Sequence, residues 1–241
     1  MQQFDFAILA FTTGFAGTSP LFDHVVNSLS RFDLFKGVIV LSLFWWAWAA
    51  GKPNETPREQ DERHDRLVNV LIGSLLIGTL SRCLQVVLHI HQRPLLSGLP
   101  LHFPVLETGF DSLNPWNSFP SDHSMLFFAL STGLWTINRR VGIIAMLWSL
   151  LVIDLPRIYL GIHYPSDVIG GAVLGTFCML GFQRLPLVRI GQFLSDWRHR
   201  YRGAFMAAVF LLADEVAHLF GDVRDLLHST VTVLFHGHQP F

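Results

Sequence analysis

The chain has 241 residues, enough for one domain and only awkwardly for two. Hydrophobic residues make up 51% and charged residues 15%, against about 25% charge in an average soluble domain, which excludes a disordered chain, a coiled coil and an ordinary cytosolic enzyme. Lys plus Arg total 17 and Asp plus Glu 18, so the net charge of -1 provides no field to gather a polyanion, and nucleic acid is not an expected partner.

The first thirty residues open on Met1-Gln2-Gln3-Phe4-Asp5-Phe6, lack the basic start of a secretory signal, and are broken by Gly14, Gly17 and Pro20. They are expected to form an amphipathic helix at a membrane surface, with a seventh span as the alternative. Six apolar runs follow, at roughly 34–50, 67–88, 121–137, 141–158, 167–184 and 204–220, each near the ~20 residues that cross a bilayer. In hydrocarbon every backbone polar group must be satisfied inside its own segment, so such runs predict helices. The expected fold class is all-α, an integral membrane bundle of six transmembrane helices. Its parts are an N-terminal interfacial segment (1–30), a transmembrane domain (31–221) and a C-terminal tail (222–241). The charged stretch from Lys52 to Arg66 reads as a solvated interhelical loop, and Cys83 and Cys178, inside apolar runs, as buried packing residues.

Basic loop residues mark the cytoplasmic side. Loops 51–66, 138–140 and 184–203 carry eleven of the seventeen Lys and Arg residues, so loops 89–120 and 159–166 are expected to face outward. Those two loops hold nearly all the chemistry. The first contains Arg93-Pro94 and ends in Pro120-Ser121-Asp122-His123, and the second brings Arg157, His163 and Asp167. Guanidinium groups match phosphate oxygens bidentately and stay charged at any working pH. Pro120-Ser121 predicts a helix start whose free amides, at residues 121 to 123, would point at the same anion. One histidine must be neutral to attack phosphorus and another protonated to assist the leaving oxygen. Asp167, four residues after His163, is close enough to hold its tautomer, with Pro165 starting a new helix between them. No cysteine or carboxylate cluster nearby resembles a metal site, and no cofactor is expected.

The blocks Arg93-Pro94, Pro120-Ser121-Asp122-His123 and Arg157-Ile158-Tyr159-Leu160-Gly161-Ile162-His163-Tyr164-Pro165-Ser166-Asp167 resemble the type-2 phosphatidic acid phosphatases, membrane relatives of the vanadium haloperoxidases. The family pattern reads KxxxxxxRP, PSGH and SRxxxxxHxxxD, and the match spans residues 82 to 171, just over a third of the chain. The resemblance implies that His163 is the nucleophile forming a phosphohistidine, that Asp167 orients it and that His123 is the general acid. Arg93, Arg157 and Ser121 would grip the phosphate. Three positions depart from the pattern: Val86 stands where the lysine is expected, Pro156 where a serine is, and Asp122 where the glycine is, putting an acid beside an anion site. Arg82, one turn before Val86, could reach in place of the lysine.

The PSDH form looks like the polyprenyl-diphosphate phosphatases of bacterial membranes, which implies undecaprenyl diphosphate as substrate, cleaved to the monophosphate on the outer face of the plasma membrane. Phosphatidic acid or phosphatidylglycerol phosphate is the alternative lipid, and a membrane transporter the alternative class. The expected partners are a lipid phosphate and the membrane, with the oligomeric state open. Other readings concern structure. Arg157 could pair with Asp154, and Arg82 within a span needs a polar cavity or a partner. Asp214, Glu215 and His218 read as bundle-facing or interfacial polar residues. The glycines at 170, 171 and 175 read as a close helix contact, and Phe103, Phe110, Trp116 and Phe119 as an aromatic belt. The pairs His89 with His91 and His236 with His238 lack further ligands and are set aside as metal sites.

Overall fold

The computed structural model describes residues 2–51, 54–88, 90–104, 117–185, 194 and 196–218. The expected tail (222–241) and His89, Phe110, Trp116, His236 and His238 lie outside the described residues. Among the described residues all regular structure is helical. In chain order it comprises α1 (Gln2–Thr13), α2 (Pro20–Arg31), a π-turn (Leu34–Val38) running into α3 (Ile39–Ala49), α4 (Pro57–Leu88), α5 (Asp122–Ile137), α6 (Arg139–Trp148), a second π-turn (Ser149–Asp154) leading to α7 (Leu155–Tyr159), α8 (Pro165–Phe182) and α9 (Arg202–Ala217).

Within the described residues each predicted apolar run is largely helical, but length separates them. Pro57–Leu88, Arg139–Tyr159 and Pro165–Phe182 are long and apolar enough to cross a membrane, and a fourth candidate arises if α2 and the helix Leu34–Ala49, bent by 70°, count as one span. Helices α5 and α9 have 16 residues each. At 1.5 Å per residue that is about 24 Å, short of the ~30 Å hydrocarbon core.

Helix α4 corrects one expectation. The stretch before Arg66 is not a loop, because the helix starts at Pro57, ten residues before its apolar part. Thr56 and Glu59 cap it reciprocally: Thr56 N–H donates to Glu59 Oε2 at 2.8 Å, and Glu59 N–H donates to Thr56 Oγ1 at 3.3 Å. The charges that suggested a loop are partnered: Arg63 reaches Glu55 at 2.9 Å and the Ala47 and Trp48 carbonyls, and Arg198 reaches Asp65 at 2.7 Å and Asp61 at 2.9 Å. The cysteines also differ from expectation. Both are free thiols, Cys83 exposed and Cys178 half-buried, because an apolar run in a bilayer helix includes a face turned outward.

Helix α5 is central, packed on α4, α6 and α8, and contributes Met125, Leu126, Phe127, Ala129, Leu130 and Leu134 to the core. Its contact with α8 depends on small residues. A Cβ at Gly175 would lie 2.1 Å from the Met125 carbonyl oxygen, and one at Gly171 2.6 Å from that of Ser121, so the backbones meet where side chains would otherwise separate them. This contact holds the two helix starts that bear Asp122, His123 and Asp167 side by side. The N-terminal helices brace the same end. Asp5 accepts from Ser166 N–H and Oγ, both at 2.9 Å, and Tyr159 donates its hydroxyl hydrogen to Asp23. Phe103 and Phe119 are both half-buried, Phe103 against Gly161 and Phe119 against Gly170.

Candidate active site

The eight expected residues come from four parts of the chain: Arg82 on α4, Arg93 after it, Ser121, Asp122 and His123 at the start of α5, and Arg157, His163 and Asp167 around the α7–α8 turn. His163 lies where these parts converge and is 1% exposed. Its Nδ1 sits 3.0 Å from the Ser118 carbonyl oxygen and 3.8 Å from Asp167 Oδ2. The nearer acceptor is therefore a backbone carbonyl, which accepts only from Nδ1–H and so leaves the lone pair on Nε2. That Nε2 lies 3.3 Å from Arg93 Nη1 and 4.0 Å from Asp122 Oδ1. Burial lowers the His163 pKa from its ordinary 6.5; the Asp167 carboxylate opposes the shift, while the positive charge of Arg93 adds to it.

Arg93 is buried and donates from Nη1 to the Ile162 carbonyl at 3.0 Å, which points its guanidinium along the turn that carries His163. Burial lowers its pKa from the ordinary arginine value, and the negative charges of Asp122 and Asp167 pull it back up.

Asp122 is a hub. Its Oδ2 pairs with Arg82 Nη2 at 2.7 Å, and its Oδ1 lies 2.9 Å from both the Nδ1 and the backbone N of His123. Arg82, costly inside an apolar helix, thus has its polar partner. With Nδ1–H donated to a carboxylate, His123 presents Nε2 as the atom free to exchange a proton. Arg157 donates to the Ile153 carbonyl at 2.7 Å rather than pairing with Asp154, whose Oδ1 accepts from Ser124 Oγ at 2.7 Å.

Two of the three expected free amides are taken. Ser121 N–H donates to the Asp167 carbonyl at 3.1 Å, and His123 N–H to Asp122 Oδ1. Close α5–α8 packing and the acid at 122 consume donors that a PSGH loop would leave open. Ser121 Oγ meanwhile acts as the N-cap of α5, accepting from Ser124 N–H at 3.4 Å. Asp167 serves its own helix, with Oδ2 accepting from Tyr164 N–H at 2.9 Å. On α9, His218 Nδ1 lies 2.9 Å from the Asp214 carbonyl oxygen, so these residues bond within their own turn.

His91, set aside in the sequence, belongs to the same network. Its Nδ1 is 2.8 Å from Ser118 Oγ, its carbonyl accepts from Ser118 N–H at 3.1 Å, and its Nε2 is 3.4 Å from Asp167 Oδ1. The signal available was its place two residues before Arg93, at the rim of the first block.

An all-helical bundle thus gathers three histidines, three arginines and two aspartates at one end. Residues 92–189 match the model of the PAP2 superfamily. With its apolar spans, the chain is an integral membrane protein. Bacitracin transport permease protein BcrC of Bacillus licheniformis is 41% identical over 66 residues, covering 27% of this chain and 31% of that protein. Undecaprenyl-diphosphatase BcrC of Bacillus subtilis is 38% identical over 69 residues, covering 27% and 32%. The chain thus spans about a third of the length of these curated relatives. The crystal structure of LpxE from Aquifex aeolicus shares the fold, with a TM-score of 0.53 at 21% identity over 74% of this chain and 94% of that one.

Proposed function

We propose that this protein is a lipid phosphatase that removes a terminal phosphate through a phosphohistidine on His163, with undecaprenyl diphosphate, cleaved to the monophosphate, as its substrate. The observation that carries the reading is the state of His163: Nδ1 tied to the Ser118 carbonyl, the lone pair on Nε2, and Arg93 Nη1 3.3 Å from that nitrogen. Nε2 attacks the terminal phosphorus in line. The P–O bond to the leaving phosphate breaks, and His123 Nε2 gives its proton to the departing oxygen. Arg93 and Arg157 stabilise the charge spread over the equatorial oxygens. His123, now neutral, takes a proton from water; the hydroxide oxygen bonds to phosphorus, the P–N bond breaks, and inorganic phosphate leaves.

Asp122 acts here by holding His123 rather than by touching phosphate, and its pairing with Arg82 keeps that cation at the rim, where a second phosphate would lie. Asp167 supports the imidazolium-like charge that develops on His163. Six spans, with α5 and α9 as the short ones, residues 1–30 as an interfacial segment and 222–241 as a tail, fit a bacterial plasma membrane with the site facing outward, as the basic residues near 58–66 and 198–202 favour.

Phosphate release from undecaprenyl diphosphate, phosphatidic acid and phosphatidylglycerol phosphate, in detergent with chelator, tests the reading. The diphosphate should turn over fastest, and vanadate, which mimics pentacoordinate phosphorus, should inhibit. Preference for a monophosphate lipid would overturn the substrate, and no release from any of them the reaction. The latter result would favour the transporter reading that the name of one relative suggests.

A further inference from the structure

The phosphatase reading assigns His163 and Asp167 but leaves unexplained what holds Asp167. Its carboxylate is fully buried, yet only Oδ2 has a hydrogen bond, from Tyr164 N–H; Oδ1 has none among the described residues. The polar atom facing Oδ1 is His91 Nε2, at 3.4 Å.

The His91 ring is fixed on its other sides. Nδ1 lies 2.8 Å from Ser118 Oγ, the ring packs edge-on against Tyr164 with centroids 4.7 Å apart, and the His91 carbonyl holds the Ser118 amide. With Ser118 Oγ–H donating to Nδ1, the ring hydrogen sits on Nε2, the nitrogen 3.4 Å from Asp167 Oδ1. Ser118 and Asp167 are also the two residues whose oxygens face His163 Nδ1, at 3.0 and 3.8 Å. One imidazole therefore touches both groups that determine how the nucleophile is held.

We propose that His91 is a positioning residue: resting on the phosphatase reading above, it fixes Asp167 and Ser118 together and, through them, the orientation and tautomer of His163. It touches no substrate atom, so its loss should slow the chemical step while leaving phosphate binding largely intact. A side chain that presents an N–H where Nε2 stands should restore the hold on Asp167; glutamine does so, and phenylalanine keeps only the ring.

The test measures phosphate release from undecaprenyl diphosphate in detergent for wild type, His91→Phe, His91→Gln, Asp167→Asn and the double variant His91→Phe/Asp167→Asn, with elution volume and melting temperature recorded for each. The expectation is a fall in kcat of about 10- to 100-fold for His91→Phe with KM within about 3-fold, and recovery to within about 5-fold in His91→Gln. In the Asp167→Asn background, His91→Phe should add less than about 3-fold, because residues acting through one another are not additive. Three results would overturn the inference alone: His91→Phe turning over like an active wild type, glutamine failing as badly as phenylalanine in a folded protein, or independent multiplication of the two effects. A wild type that releases no phosphate would instead overturn the phosphatase reading, and this inference with it.

Discussion

Helix α4 runs between two groups of charges that are treated in opposite ways. At its first turns, Arg58 pairs with Glu62, Arg63 with Glu55, and Arg198 with both Asp61 and Asp65. About 30 Å away along the same helix, Arg157 gives its hydrogen bond to a backbone carbonyl, and Arg93 also reaches one. A carbonyl satisfies a donor without cancelling its charge, so the first group joins elements through ion pairs, whereas the second combines carbonyl contacts with the Arg82–Asp122 pair beside His163.

That contrast can be broken most forcefully at His123. His123→Ala should reduce phosphate release by about 10²–10⁴-fold, the usual range for losing a general acid–base group, measured as kcat on detergent-solubilised protein. Turnover within a few-fold of wild type would mean that this end serves no proton transfer. Next in size is Asp122→Asn, which keeps the shape but weakens the hold on His123 Nδ1. It should cost about 10- to 100-fold in kcat, with a smaller change in KM.

At the other end, Arg198→Ala should leave kcat unchanged and lower stability by about 2 kcal/mol, the order expected for losing hydrogen bonds to charged groups, read as a drop in melting temperature. A change in turnover without a change in melting would reverse the roles assigned to the two ends. The smallest effect concerns pH. His163 must be neutral to attack, and burial lowers its pKa from 6.5, so the acid limb of kcat/KM should be centred below that value. Since the Asp167 carboxylate raises this pKa, Asp167→Asn should move the limb further toward acid, by a fraction of a unit.

The sequence disclosed these two ends unequally. Apolar runs located every long helix, since bilayer solvation requires helix wherever hydropathy is sustained, and three spaced blocks located the histidines and arginines. The start of α4 was hidden because charge in sequence reads as solvent exposure, whereas Arg198, more than 130 residues away, supplies the partner that makes Asp61 and Asp65 part of a packed helix. The fate of the amides at residues 121 and 123 was hidden for a similar reason. Whether they are free depends on α8 approaching α5 through Gly171 and Gly175 and on the acid at 122, and neither effect shows in the spacing of a motif. His91 carried only adjacency to Arg93; its bearing on Asp167 comes from the folded chain, which sets its Nε2 3.4 Å from Asp167 Oδ1 and its Nδ1 against Ser118.

The account depends on His163 Nε2 bonding to phosphorus, and trapping that bond is its most direct test. Undecaprenyl diphosphate labelled in the terminal phosphate, quenched in alkali during turnover, should leave label on the protein that survives base and is lost in mild acid, as a phosphoramidate behaves, with His163 as the labelled residue and none in His163→Ala. Label on another residue, or undiminished label in His163→Ala, would contradict it.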